Sequence, residues 1–123
     1  MTDKPSILIV DDEHNIRVAL ARWFTLHGFE VEQAIDGIDA IEKFEAGRFD
    51  VITMDLEMPR MGGLDALKEI RSRDKDIPVL VVTGFSVDTA VALQHGAHRV
   101  LIKPLHLREL EAEVRQAMYD SAG

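Results

Sequence analysis

Five positions of this chain carry side chains suited to chemistry on anionic groups: Asp11, Asp12, Asp55, Thr83 and Lys103. Each falls at the end of a short apolar run. Asp11 and Asp12 follow Ser6–Val10, Asp55 follows Asp50–Met54, Thr83 follows Pro78–Val82, and Lys103 follows His98–Ile102. Carboxylates brought together repel one another and raise their own pKa values. A hard dication relieves that repulsion. Mg2+ suits such a set, because it takes oxygen ligands, uses one or two carboxylates and keeps waters that a phosphate can replace. Thr83 adds a hydroxyl, and Lys103 a point charge on a flexible stem that suits an anionic oxygen. A nucleophile, a metal clamp, a hydroxyl and an ammonium group are the parts of phosphoryl transfer.

Each residue taken singly also has a plainer reading. An aspartate at a strand end is usually a helix cap or turn former, and Asp12 alone reads best as a cap. A threonine before glycine marks a turn, and a lysine before proline is a solvated loop residue. The chemical reading rests on all five groups sharing one edge, since convergent charge is rare outside functional sites.

That edge depends on the elements. Four of the apolar runs are dense in Ile, Val and Leu and predict strands; a fifth, Glu30–Ala34, is more polar and predicts a strand nearer the sheet edge. Helical periods lie between them. Ile16, Ala19, Leu20, Trp23 and Phe24 share one face of a first helix stopped by Gly28. Ile38, Ile41 and Phe44 mark a second stopped by Gly47, and Leu64, Leu67 and Ile70 a third. Val87, Ala90, Val91 and Leu93 mark a short fourth stopped by Gly96, and Leu107, Leu110, Val114 and Met118 the last. The order is (βα)5, with gaps long enough for helical crossovers between parallel strands. Ligands of such open sheets bind outside the carboxyl ends of the strands. Asp36, after the weak second strand, serves the next helix start.

The 123 residues predict one domain, with a core over roughly 6–118 and loose ends. Cysteine is absent, which excludes disulfides and thiolate metal sites. Neither a secretory h-region nor an apolar stretch long enough to span a bilayer is present, so a cytoplasmic location without membrane insertion is expected. A net charge of −8 argues against direct nucleic-acid binding. His14, His27, His95, His98 and His106 are scattered without metal-motif spacing. His27 and His95 precede glycines at helix ends, where positive charge favours the dipole.

The chain resembles the receiver domain of two-component response regulators. The likeness is carried by Ile7-Leu8-Ile9-Val10-Asp11-Asp12-Glu13, by Met54-Asp55-Leu56-Glu57-Met58-Pro59-Arg60-Met61-Gly62-Gly63-Leu64, by Val82-Thr83-Gly84, and by Gly96-Ala97 before Leu101-Ile102-Lys103-Pro104. The resemblance implies a single doubly wound, flavodoxin-like α/β domain with strand order 2-1-3-4-5 and no output domain in this chain. It implies Asp55 as phosphoacceptor and Mg2+ as cofactor. Asp12 and Asp55 would hold the metal directly, with Asp11 acting through water and the Glu57 backbone carbonyl completing the set. The Glu57 and Gly84 backbone would bind the phosphoryl group. Thr83 would close on it, Lys103 would pair with a phosphoryl oxygen, and Lys103-Pro104 would be a cis peptide. Gly63 would allow the backbone geometry of the loop after Asp55. The implied donor is a sensor histidine kinase or a histidine phosphotransfer protein. The implied output is an unknown partner or C-terminal effector domain, with a fourth helix, fifth strand and fifth helix surface through which a homodimer can form. Catalysis would be limited to the domain's own phosphorylation and slow dephosphorylation.

Two positions depart from the family pattern. Val100 stands where an aromatic switch residue is usual, and Leu105 where phenylalanine is common. Phe85, two residues after Thr83, is a candidate shield of the phosphoryl group or a plain loop anchor. The rival functions are a non-phosphorylated interaction module, a small aspartyl phosphatase and a flavin carrier. The phosphatase usually has aspartate where Glu57 stands, and a cap for which this chain has no room. The flavin carrier needs a hydroxyl- and glycine-rich loop in place of Asp11-Asp12-Glu13.

Overall fold

The computed structural model of the protein describes residues 4–58, 60–84 and 89–122. Five strands and five helices alternate: β1 (Ser6–Val10), α1 (His14–Leu26), β2 (Glu30–Ala34), α2 (Gly37–Lys43), β3 (Val51–Met54), α3 (Gly63–Arg73), β4 (Val79–Thr83), α4 (Thr89–Gln94), β5 (Arg99–Ile102) and α5 (Leu107–Ala122). All strand pairs are parallel, in the order β2-β1-β3-β4-β5. The strands thus fall where the apolar runs place them, to within one residue.

The strand period of two divides the core. Leu8, Val10, Ile52, Met54, Val79 and Val81 face the layer of α2, α3 and α4. Ile7, Ile9, Val51 and Leu80 face α1 and α5. Central β1 and β3 are buried almost throughout, whereas edge strands β2 and β5 are half-exposed. The polar character of Glu30–Ala34 therefore marked its edge position correctly.

Three helical details differ from the sequence expectation. On α1 the buried residues are Arg17, Ala21 and Phe24, while Ala19 is exposed. The face rotates because the Arg17 guanidinium finds buried polar partners, described below. α2 ends at Lys43, and Phe44 is already extended at φ −72°, ψ 128°. Gly47, at φ +84°, thus belongs to the following turn and does not stop the helix. On α4 the buried residue is Ala92; Ala90, Val91 and Leu93 point outward, and Val87 lies outside the described residues. So short a helix, lying over the sheet near its edge, has room to bury little more than one small side chain. Gly28 and Gly96 do follow α1 and α4 with positive φ, as left-handed caps.

Candidate functional site

The sheet's last hydrogen bonds position the site. The Asp11 amide donates to the Ala34 carbonyl at 3.1 Å, and the Asp55 amide to the Val10 carbonyl at 3.1 Å. The Lys103 amide donates to the Thr83 carbonyl at 2.8 Å. Each strand thus ends on a rung that carries a chemical side chain, and strand order brings the side chains together. Carboxylate oxygens of Asp11, Asp12 and Asp55 lie within 4.8 Å of one another. Lys103 Nζ lies 3.6 Å from Asp11 Oδ2 and 3.5 Å from Asp55 Oδ2. Asp11 and Asp55 are buried, whereas Asp12 is exposed at the rim.

The other oxygens of the buried pair are held by the local backbone. Asp11 Oδ1 accepts from the Glu13 amide at 2.9 Å, and Asp55 Oδ1 from the Glu57 amide at 3.1 Å. These turns fix both rotamers, so Oδ2 of each acid is directed at the ammonium group. Asp12 is not the helix cap: Glu13 occupies that position and no side chain caps α1. The plain reading of Asp12 therefore fails, and its carboxylate stands at the metal-sized cluster.

Burial raises the Asp55 pKa, and the neighbouring Asp11 charge adds to it, against the lowering by the Glu57 amide and Lys103. For Lys103 burial acts downward, but attraction to Asp55 and Asp11 prevails and its pKa is raised. The lysine therefore stays charged at neutral pH, while Asp55 is less readily ionised than an ordinary aspartate. Asp11, Asp55 and Lys103 also line an open, mostly apolar pocket of about 550 Å³ whose other walls include Ile16, Leu20, Leu105 and Leu110.

The donor set tests the fit to a metal. It is all oxygen, with no nitrogen or sulfur ligand, and three carboxylates converge with one at the solvent rim. That matches a hard dication such as Mg2+ that keeps part of its water shell.

Thr83 is buried at the end of β4, and Gly84 beside it is exposed. A Cβ on Gly84 would lie 3.8 Å from Glu57 Oε1, so the two loops carrying Glu57 and Gly84 face each other across the site. Glu57 itself is exposed. Gly63 does not have a positive φ, and its role is space: an added Cβ would collide with the Asp55 carbonyl oxygen. The loop residue with left-handed geometry is Arg60, at φ +65°. The Lys103-Pro104 peptide is cis, as the resemblance implied. Val100 pairs with Val81 and is half-buried against the core. Phe85 lies outside the described residues.

Two residues near the site escaped the sequence reading. Arg17 is buried and donates from Nη1 to the Asp11 carbonyl at 2.9 Å and from Nε to Gln33 Oε1 at 3.2 Å, tying α1 to the strand end that bears the acids. Its spacing to Ala21 and Phe24 was the available signal, masked by the habit of placing arginine on the wet face. Arg60 donates from Nε to Asp36 Oδ2 at 2.6 Å. No spacing announces that contact, because it joins residues 24 apart. His27 pairs with Glu111 at 2.9 Å and stacks on Trp23, and no histidine belongs to a metal-sized cluster among the described residues.

Residues 7–115 match the family model of the response regulator receiver domain. The chain is 45% identical over 120 residues to the regulatory protein AtoC of Escherichia coli, covering 96% of this chain and 26% of AtoC. It is 40% identical over 113 residues to the transcriptional regulatory protein PrrA of Mycobacterium tuberculosis, covering 90% of this chain and 48% of PrrA. The chain thus spans about a quarter to a half of the relatives it matches. Among solved structures, a CheY-like receiver domain protein of Methanospirillum hungatei superposes with a TM-score of 0.92 at 26% identity, over 98% of each chain. The response regulator TrrA of Thermotoga maritima, solved in complex with Mg2+-BeF, superposes with a TM-score of 0.84 at 32% identity, over 92% of this chain and 98% of that one.

Proposed function

Since the chain belongs to the response regulator receiver domain family, we propose that it is a phosphoacceptor switch that takes a phosphoryl group onto Asp55. The observation that carries this reading is the convergence of Asp11, Asp12 and Asp55 within 4.8 Å, with the Lys103 ammonium facing the buried pair. A sensor histidine kinase or a histidine phosphotransfer protein is the donor. A carboxylate oxygen of Asp55 attacks phosphorus in line, the phosphorus–nitrogen bond breaks with its electron pair going to the nitrogen, and the donor ring, protonated at its other nitrogen, leaves as neutral imidazole. Mg2+, held by Asp12 and Asp55, with Asp11 through water and the Glu57 carbonyl, supplies neutralisation of the phosphoryl oxygens when bound.

The chain's own groups supply the rest. Lys103 moves its charge from the carboxylate pair to a phosphoryl oxygen, so no new charge has to be brought in. The Glu57 and Gly84 amides face the group being transferred, and the Thr83 hydroxyl closes on it. The same amides and ammonium orient the water of slow self-hydrolysis, which is the extent of the catalysis. TrrA's complex with Mg2+-BeF supports a metal and a phosphoryl-like ligand in a site of this kind.

The acyl phosphate changes the charge at the ends of β4 and β5, and the surface of α4, β5 and α5 carries the response. Val91, Leu93 and Ile102 are exposed apolar residues there, suited to a partner or a second copy. The domain's acidic balance directs its output through a protein partner or an attached effector domain, with any DNA contact made by that effector. The proposed setting is the cytoplasm, and no helix among the described residues is long and apolar enough to cross a membrane.

The test is incubation with Mg2+ and acetyl phosphate, followed by intact mass beside Asp55→Asn. A single phosphoryl increment that needs Mg2+ and is absent from the variant is expected. No increment in the wild type, together with no binding of beryllofluoride, would overturn the reading and leave a non-phosphorylated interaction module.

A further inference from the structure

The loop from Leu56 to Gly62 leaves the site and must return to start α3. Its far side is fastened to a different element. Arg60 Nε donates to Asp36 Oδ2 at 2.6 Å, and the Gly37 amide donates to the Met61 carbonyl at 3.1 Å. Asp36 is the cap of α2: its Oδ1 accepts from the Asp39 amide at 2.8 Å. Its carboxylate is buried, with its side chain 5% exposed, while the Arg60 side chain is 54% exposed. A Cβ on Gly37 would collide with the Met61 carbonyl oxygen, so the two backbones meet as closely as only glycine permits.

Arg60 makes this contact from φ +65°, the one non-glycine left-handed residue among those described. An arginine gains nothing locally from that conformation and holds it only where the surroundings over-determine it. The surroundings here are the charged bond to Asp36, which lowers the Asp36 pKa and raises that of Arg60. The near side of the same loop carries the Glu57 amide, which donates to Asp55 Oδ1 at 3.1 Å and fixes the phosphoacceptor carboxylate. Arg60 and Met61 are thus held only three and four residues along the chain from Glu57.

We propose that Asp36 and Arg60 form a latch that positions Asp55 through the Glu57 amide, so that the site is arranged for Mg2+ before the metal arrives. Neither residue touches the metal or the phosphoryl group; both act through the loop, as positioning residues. The inference rests on the receiver reading for its use of Mg2+, but the loop geometry can be tested without metal.

Arg60→Gly is the informative variant, because it removes the latch and the left-handed strain together and so leaves global stability close to wild type. Two measurements apply: amide exchange at Glu57 and Gly37 in metal-free protein, and Mg2+ affinity by titration calorimetry. With the latch lost, protection at Gly37 and Glu57 falls together, and the Mg2+ concentration at half-saturation rises about fivefold. Asp36→Asn gives a similar rise, the double variant no more than either alone, and Arg60→Lys recovers part of it. Loss of protection at Gly37 with Glu57 protection and Mg2+ affinity unchanged would overturn the proposal and leave a contact that serves only α2. If wild-type protein bound no Mg2+, the receiver reading would fail, and Glu57 protection would still decide the positioning role.

Discussion

Asp36 and Asp55 are aspartates just past the ends of β2 and β3, the two strands that flank β1, and both are buried, at 3% and 5% exposure. Their environments oppose each other. Asp36 is satisfied on both oxygens, by the cap bond to Asp39 and by a 2.6 Å bond from Arg60, and its pKa is lowered chiefly by that arginine. Asp55 receives one amide bond at 3.1 Å and a lysine at 3.5 Å that it shares with Asp11, and burial raises its pKa. One carboxylate is finished by its own protein; the other is left short of partners, which under the proposed function leaves it open to a metal and a phosphoryl group. The difference lies in which cation reaches each: a forked guanidinium bound to one acid, against a point charge divided between two.

Exchanging the two roles is the strongest way to break this comparison. Asp55→Asn is expected to abolish Mg2+-dependent phosphoryl uptake from acetyl phosphate, while Asp36→Asn at saturating Mg2+ keeps it; intact mass reads both. Uptake by Asp55→Asn would remove the contrast.

Stability should invert the order. Asp36→Ala loses a cap and a charge-assisted bond, worth about 2 kcal/mol together, and a fall in melting temperature of roughly 6–10 °C is expected. Asp55→Asn relieves an unfavourable buried charge and should raise the stability of metal-free protein slightly, by about 1 kcal/mol or less. Chemical denaturation of both variants beside wild type is the check; equal losses would show that the two acids are energetically alike.

Metal sharpens the contrast further. Mg2+ at ten times its dissociation constant should stabilise wild type by about 1.4 kcal/mol, and Asp36→Ala by a similar increment at the same degree of saturation. Asp55→Asn should gain much less, as thermal shifts with and without chelator would reveal.

The smallest expected effect is in the pH dependence, where the signs differ. The Asp36 pKa is lowered from the ordinary 3.8, so its contribution is present above that value and lost as pH falls below it. The stabilities of wild type and Asp36→Asn should therefore converge on acidification beneath about pH 4. The Asp55 pKa is raised from 3.8, so its favourable contribution is complete below that value and lost as pH rises through the raised folded value. The advantage of Asp55→Asn should accordingly appear only as pH climbs above about 4. Parallel pH–stability curves for the two variants would contradict the assigned environments.

Much of this was legible in the residues. Apolar runs of strand length placed β1, β3, β4 and β5 within one residue, because a buried parallel strand needs a dense Ile, Val and Leu run, and the more polar Glu30–Ala34 was legible as an edge strand. The strand ends then named Asp11, Asp12, Asp55, Thr83 and Lys103 as a group. Helix faces were less legible. Arg17 reads as solvent-facing until its partners, the Asp11 carbonyl and Gln33, are known. The outward α4 residues Val91 and Leu93 read as core until the helix is placed on the sheet. Periodicity says that a face exists, but a neighbouring element decides what it meets.

Sequence by itself thus determined the strands, their parallel direction and the set of chemical side chains, since these follow from hydrophobic pattern, the length of the gaps and residue type. Only the tertiary structure decided which acid is quiet and which is poised. Asp36 and Asp55 are the same residue type in similar local settings, and their charges are set by Arg60, 24 residues from Asp36, and Lys103, 48 residues from Asp55. Coulomb attraction depends on distance through space and on the burial around it, and neither is written in the spacing along a chain.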